Sequence, residues 1–292
     1  MLRALFALIV ILIVPAAANA AQDSTIEVGA GRFIFEHHDG KSTRPVTIWT
    51  YRPKQLTGIS PVLFVMPGVD RDGERYRNEW LAYAERGQAL LLVPEFSTAH
   101  FPGGRNYSAP RPQANSSGSE EAPPFAFAAL ERIFDQALRV THLTAKDYRL
   151  YGHSAGAQFA HRFILSYPEA RVKIAIAANA GWYMLPEFET NFPYGLRQSG
   201  VTPEGLKRAF ARKLIVLLGE KDTDPNHPQL SQSARAKQQG PNRFQRGQTF
   251  FRVAERQAQK LSVELFWELK TVPNVAHSNA GMARAAAPLL LR

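Results

Sequence analysis

The sequence predicts an α/β architecture: a mostly parallel central sheet flanked by helices and interrupted by lid-like insertions. Three observations carry this expectation. Continuous apolar runs recur at 61–66 (PVLFVM), 88–93 (QALLLV), 173–178 (KIAIAA) and 213–218 (KLIVLL), the pattern of strands covered on both faces. Segments with helical spacing lie between them, and that alternation favours parallel pairing. Finally, Gly152-His153-Ser154-Ala155-Gly156 follows a short strand and leads into a helical segment, 157–165.

In chain order, 31–36 (GRFIFE) and 45–51 (PVTIWTY) read as an antiparallel opening pair joined by a turn at 38–41. A helix is expected at 80–86, between the first two apolar strands. Residues 97–124 are rich in Pro, Gly, Ser and Asn, and a loop of that length is usually functional or mobile. Phe127, Leu130, Phe134 and Leu138 recur at helical spacing over 125–140. The strand bearing Ser154 follows, then its helix and the 173–178 strand. A second insertion, 181–211, holds a short helix at 203–210. After the 213–218 strand come a helix at 249–261, a last strand at 263–269 (VELFWEL) and a terminal helix at 280–290.

The chain opens with Arg3, an apolar run over 4–14, a proline and Ala18-Asn19-Ala20, which reads as a secretory signal peptide over 1–20 with a mature start at Ala21. That run is shorter than the roughly 20 residues a membrane span needs. Export places the protein in the periplasm or outside the cell, and residues 21–292 are expected to form a single domain. There is no cysteine, so thiol nucleophiles, thiolate metal sites and disulfides are excluded. The formal net charge is +10, or +9 without Arg3. The basic residues are spaced through helix-like segments with Gln and Ala, without the interleaved aromatics of a single-strand binder, so no nucleic-acid partner is expected. No zinc-protease helix, phosphate loop or dinucleotide fingerprint occurs, and no cofactor or metal is expected.

A G-x-S-x-G turn between strand and helix has a mechanical purpose. The tight bend pushes the serine hydroxyl out of the sheet end, and crowding leaves no room for side chains two residues either side. The N–H of Ala155 faces the start of a helix, where free N–H groups favour negative charge. Serine needs a base, and the base needs a third group to orient it. His161 lies two helical turns from Ser154 and is better suited to packing. His153 projects away from Ser154 on the turn. His277, in VPNVAHSNAGM just after the last expected strand, is the candidate base. The candidate acid comes from GEKDTD after the 213–218 strand: Asp222, with Asp224 as rival.

The order Ser154, Asp222, His277 across parallel strands resembles the α/β-hydrolase fold, and the resemblance covers essentially all of 21–292. It implies a second oxyanion donor in Met66-Pro67-Gly68-Val69-Asp70, where Pro67 replaces the frequent histidine. The expected donor is the N–H of Val69, with Asp70 as the alternative. Within the fold, MPGVDRDGERYRNEW, YGHSAGAQFAHR, NAGWYMLP with FPYGL, and GEKDTD resemble secreted esterases grouped with polyhydroxybutyrate depolymerases and feruloyl esterases. The missing cysteines depart from the disulfide-bearing extracellular depolymerases.

The resulting expectation is a secreted serine esterase acting on a small-molecule or polymeric ester. Trp182, Tyr183, Phe192, Tyr194 and the segment 101–107 are candidates for its pocket wall. A serine peptidase or amidase on the same fold is the alternative within enzymology, because the triad does not encode the leaving group. The alternative outside it is a catalytically silent secreted ligand-binding protein.

Overall fold

The computed structural model describes residues 25–38, 43–109, 113–114, 121–122, 125–167 and 169–291. The expected signal peptide, its Ala21 junction and, apart from His38, the turn at 38–41 lie outside these residues.

Strands β1 (Gly29–His38) and β2 (Thr43–Arg52) pair antiparallel. β3 (Val62–Met66) is buried at every position and leads to α1 (Gly73–Arg86), capped by the Asp72 side chain. β4 (Leu90–Glu95) follows. The long insertion contains the short antiparallel pair β5 (Gln113–Ala114) and β6 (Glu121–Ala122). Then come α2 (Phe125–Thr141), β7 (Tyr148–His153), α3 (Ala155–Ser166), β8 (Val172–Ala178) and α4 (Pro203–Phe210). The chain ends through β9 (Leu214–Gly219), α5 (Ala234–Gln239), α6 (Arg243–Lys260), β10 (Trp267–Val272) and α7 (Asn279–Leu290).

The main sheet has eight strands in the order β1-β2-β4-β3-β7-β8-β9-β10. It is antiparallel from β1 to β4 and parallel from there to β10. Period-two alternation divides each central strand between two cores. Val62, Phe64 and Met66 face the layer of α2, α3, α4 and α6, while Leu63 and Val65 face α1 and α7. The strands β3, β7, β8, β9 and β10 point the same way, so the loops at their carboxyl ends gather on one edge, where open α/β sheets build their sites.

Several elements depart from the sequence reading, α1 among them, which starts at Gly73 rather than at 80. The last strand runs 267–272 rather than 263–269. Residues 263–266 instead join α6 to the sheet, with Val263 and Leu265 packed partly buried against the core, the Val263 N–H closing on the Ala258 carbonyl and the Phe266 N–H on that of Phe210. At the sheet edge, Lys270 and Thr271 are tolerated because one side meets solvent. Helix α6 begins at Arg243, earlier than expected, and α5 was not anticipated. Gly247 sits inside α6 because a Cβ there would come 2.4 Å from Leu218 Cδ2. The glycine lets the helix lie close on β9.

Candidate active site

The turn from β7 into α3 has the geometry its sequence demands. Ser154 sits at φ 56°, ψ −115°, a region costly for any residue with a side chain. A Cβ on Gly152 would lie 2.0 Å from the Gly156 carbonyl oxygen, and one on Gly156 would lie 1.9 Å from that of Met66. The Ser154 N–H is tied to the Ala178 carbonyl at 3.0 Å, which pins the turn to the end of β8. The first bond of α3 runs from the Gln158 N–H to the Ser154 carbonyl, so Ala155 belongs to the opening turn, whose N–H groups have no intrahelical acceptor.

His277 and Asp222 come from the two loops that follow β10 and β9. His277 Nε2 stands 3.1 Å from Ser154 Oγ, and His277 Nδ1 lies 2.7 Å from Asp222 Oδ2. An ionised carboxylate only accepts, so the imidazole proton belongs on Nδ1 and Nε2 is left to accept from the serine hydroxyl. Asp222 is 3% exposed and held in a turn by its N–H on the Gly219 carbonyl. Asp224 lies on the exposed rim, where its carboxylate accepts the Asn226 N–H at 2.9 Å. Of the two acids weighed from sequence, the structure thus brings Asp222 to His277.

A scan against protein-family models finds no match, and neither does a search of curated proteins. Solved structures do match. Poly(aspartic acid) hydrolase-1 from Sphingomonas sp. KT-1 is 38% identical, covering 91% of this chain and 100% of that one, with a TM-score of 0.85. LpqC, a poly(3-hydroxybutyrate) depolymerase from Bordetella parapertussis, is 32% identical over 90% of this chain and 89% of that one, with a TM-score of 0.83. The chain belongs to the α/β-hydrolase family. An S-formylglutathione hydrolase from Agrobacterium tumefaciens, at 15% identity over 91% of this chain and 95% of that one, shares the fold with a TM-score of 0.53. Within the family the chain resembles the poly(3-hydroxybutyrate) depolymerase group, as its sequence segments imply.

Two cavities adjoin Ser154 in this α/β-hydrolase. One, of about 100 Å³, is lined by Gly68, Asp70, Arg75, Tyr76, His277 and Asn279, among others. The other, of about 370 Å³, runs past Val69, Ala155, Gln158, Trp182 and Leu230. Val69 borders both, and its side chain is 46% exposed between them. Asp70 borders only the smaller, and its carboxylate accepts Gln229 Nε2 at 3.3 and 3.4 Å. A third cavity of about 350 Å³ shares Gly104 and Trp182 with the second and adds Phe192 and Pro193.

The aromatic wall expected from sequence is therefore borne by Trp182 and Phe192. Tyr183 is instead fully buried and stacked on Phe250 with ring centroids 4.6 Å apart. Tyr194 packs against Trp182 at a tilt of 39°, with ring centroids 4.5 Å apart. Phe101 and Tyr107 are core residues, and the Tyr107 hydroxyl donates to the Pro67 carbonyl at 2.7 Å, bracing the loop that carries Val69.

His161 packs as expected in the hydrolase core: Nδ1 lies 2.8 Å from the Ala157 carbonyl and Nε2 accepts the Met184 N–H at 3.0 Å. His153 is buried, its Nδ1 3.0 Å from the Tyr76 hydroxyl and its ring 4.6 Å from that of His277. Burial first, then the neighbouring His277, Arg243 and Arg75, push His153 well below the ordinary imidazole range, which keeps it neutral. Burial, with some help from Arg162, does the same to His161.

Sequence reasoning missed three supports of the site. Asn179, buried after β8, accepts the Gly219 N–H at 2.8 Å and donates to the Ala276 carbonyl at 3.2 Å, tying the loop of Asp222 to that of His277. Asn279 is bonded to Tyr151 and to Glu79, anchoring the far end of the His277 loop. Arg243 reaches Asp222 from α6. An Asn directly after an apolar strand is a weak signal for the first; nothing local in the sequence marks the other two. Among the described residues no cluster of His, Asp and Glu is arranged to hold a metal ion, and no helix is long and apolar enough to cross a membrane.

Proposed function

We propose that this hydrolase cleaves carboxylic esters by acyl transfer through Ser154, His277 and Asp222. One observation carries the reading: a serine oxygen on a strained turn lies within hydrogen-bond reach of an imidazole whose other nitrogen is held by a buried carboxylate. In the proposed reaction His277 Nε2 takes the Ser154 proton as Oγ attacks the substrate carbonyl. Asp222 holds the tautomer and offsets the charge that the ring acquires. The N–H groups of Ala155 and Val69 receive the oxyanion, and a donor of that kind is worth about 3 kcal/mol. His277 then protonates the leaving alcohol, and water, deprotonated by the same ring, releases the acyl group and restores Ser154.

Between Val69 and Asp70, the reading takes Val69, because it borders both cavities at Ser154 while Asp70 borders only the smaller. Export through 1–20, with 21–292 as one catalytic domain, completes the proposal. An amide substrate is a second reading with specific support, since one relative at 38% identity is a poly(aspartic acid) hydrolase, and that polymer is joined by amide bonds.

The test is labelling of the protein with a fluorophosphonate, mapping of the modified peptide, and turnover of a short-chain p-nitrophenyl ester beside its matched anilide. Label on Ser154 with faster ester than anilide cleavage is expected. A folded protein that takes no label and cleaves neither would overturn the mechanism, and preferential anilide cleavage would move the amide reading to the front.

A further inference from the structure

Asp222 has two carboxylate oxygens, and the proposed mechanism uses one. Oδ2 faces His277, while Oδ1 lies 3.4 Å from Arg243 Nη1. The pair is almost sealed from solvent, with side chains 1% (Arg243) and 3% (Asp222) exposed. Arg243 opens α6, and the next N–H, that of Phe244, donates to the Asp222 backbone carbonyl at 3.2 Å. The Asp222 backbone is thereby docked on the first turn of a long helix, while its carboxylate meets the guanidinium. Arg243 Nη2 also lies 3.2 Å from His227 Nδ1, in the loop whose Gln229 crosses to Asp70 beside Val69. One side chain therefore touches the acid of the site and the loop that borders both of its cavities.

Resting on the acyl-transfer reading, we propose that Arg243 is a positioning residue of this site: it fixes the Asp222 carboxylate with Oδ2 toward His277 and sets the positive charge against which His277 is protonated. The titratable and charged groups facing Asp222 and His277 are Arg243 from α6, His227 from the loop after β9, His153 from β7 and Tyr183 from the loop after β8; Asp224 faces Arg243 and His227, and Arg246 lies behind Arg243. His153 is held neutral and His227 is also pushed down, chiefly by burial, so Arg243 is the fixed positive charge in contact with the acid. An imidazolium at His277 forms against that charge. Its removal makes protonation of the base easier, and the acid limb of activity moves to higher pH. Geometry acts separately: a reacting group displaced by ~1 Å can lose about 100-fold in rate.

The variants Arg243→Gln and Arg243→Lys separate the two effects, because lysine keeps the charge and loses the planar fork. Each is compared with wild type for thermal midpoint, kcat, KM and the pH profile of kcat/KM on a p-nitrophenyl ester. Arg243→Gln is expected to lose at least about tenfold in kcat with little change in KM, as expected for a misplaced catalytic group, and to shift its acid limb upward. Arg243→Lys is expected to keep the wild-type acid limb with a partial loss of kcat. A folded Arg243→Gln enzyme with wild-type kcat and pH profile overturns the proposal. If Arg243→Gln does not fold, Arg243→Lys decides: wild-type kcat overturns the proposal, and reduced kcat with an unmoved acid limb supports it. The downfield proton resonance of the Asp222–His277 hydrogen bond gives a readout without turnover. Its change in Arg243→Lys supports the positioning role and its constancy opposes it, even if wild type cleaves no ester and the acyl-transfer reading itself fails.

Discussion

The two halves of the site are built in opposite ways. The serine half is one continuous stretch, β7, the turn and α3, whose two glycines answer close backbone approaches: Gly152 against Gly156 within the turn, and Gly156 against Met66 at the end of the neighbouring β3. The base half is assembled from separate segments, with Asp222 after β9, Arg243 at the head of α6 and His277 after β10, joined by hydrogen bonds and an ion pair. Steric demands hold the first half and charges hold the second. A steric demand leaves its mark in the local sequence, whereas a charge pair leaves none beyond the presence of an Arg and an Asp somewhere in the chain.

If this contrast is right, substitutions in the serine half divide cleanly into chemical and steric ones. Ser154→Ala removes only Oγ and leaves the turn intact, so kcat/KM on the ester should fall by roughly 10⁶ with the thermal midpoint unchanged. Substantial residual turnover would show that the reacting nucleophile is elsewhere. In the base half, Asp222→Asn keeps shape and discards charge, and should cost about 10⁴ in kcat by disfavouring the correct tautomer. Asp224→Asn, on the exposed rim, should leave kcat near wild type. The reverse ranking of the two asparagine variants would break the assignment of the acid.

The same contrast governs what was legible in the sequence. The mostly parallel sheet, its antiparallel opening and the helix at Pro203–Phe210 follow from apolar runs and spacing, signals that survive in one dimension. Ser154, His277 and Asp222 were legible because each follows a strand end, so topology alone brings them to one edge. Arg243 was not, since the sequence reading starts that helix at 249 and leaves Arg243 outside it, whereas α6 begins at Arg243. The alternating Val263 and Leu265 misled the reading of β10, because they pack partly buried against the core from a connection outside the sheet, and burial is not membership of a sheet. Tyr183 and Phe101 look the same in sequence as Trp182 and Phe192, and only the packed structure separates core from cavity wall.

Steric control of the turn makes a prediction of intermediate size. Gly156→Ala drives a Cβ into a backbone carbonyl that cannot move without shifting β3, and should destabilise the fold by about 3 kcal/mol. Gly58→Ala is the control, since its Cβ would meet only Thr144 Oγ1 at 3.7 Å. Denaturant unfolding of the two variants checks the difference. Equal midpoints would mean that the turn is softer than its contacts imply.

The smallest expected effect separates the halves by pH. His153 and His161, both in the serine half, are buried and neutral in the folded chain, their protonation opposed chiefly by desolvation. In the unfolded chain they take up protons below about pH 6.5. Below that pH the unfolded state binds more protons than the folded one, so stability falls as pH drops, by up to about 1.4 kcal/mol per pH unit for each histidine. Above it neither state is protonated and the contribution vanishes. His227, in the base half, is pushed the same way but is largely solvated, so its share is smaller. Urea unfolding at pH 7.5 and 5.5 should therefore show a lower midpoint at the acidic pH, and His161→Gln should flatten that dependence while His227→Gln barely changes it. If His227→Gln flattened it more, the acid sensitivity would belong to the charged half, and the division of the site into a steric and an electrostatic half would not hold for stability.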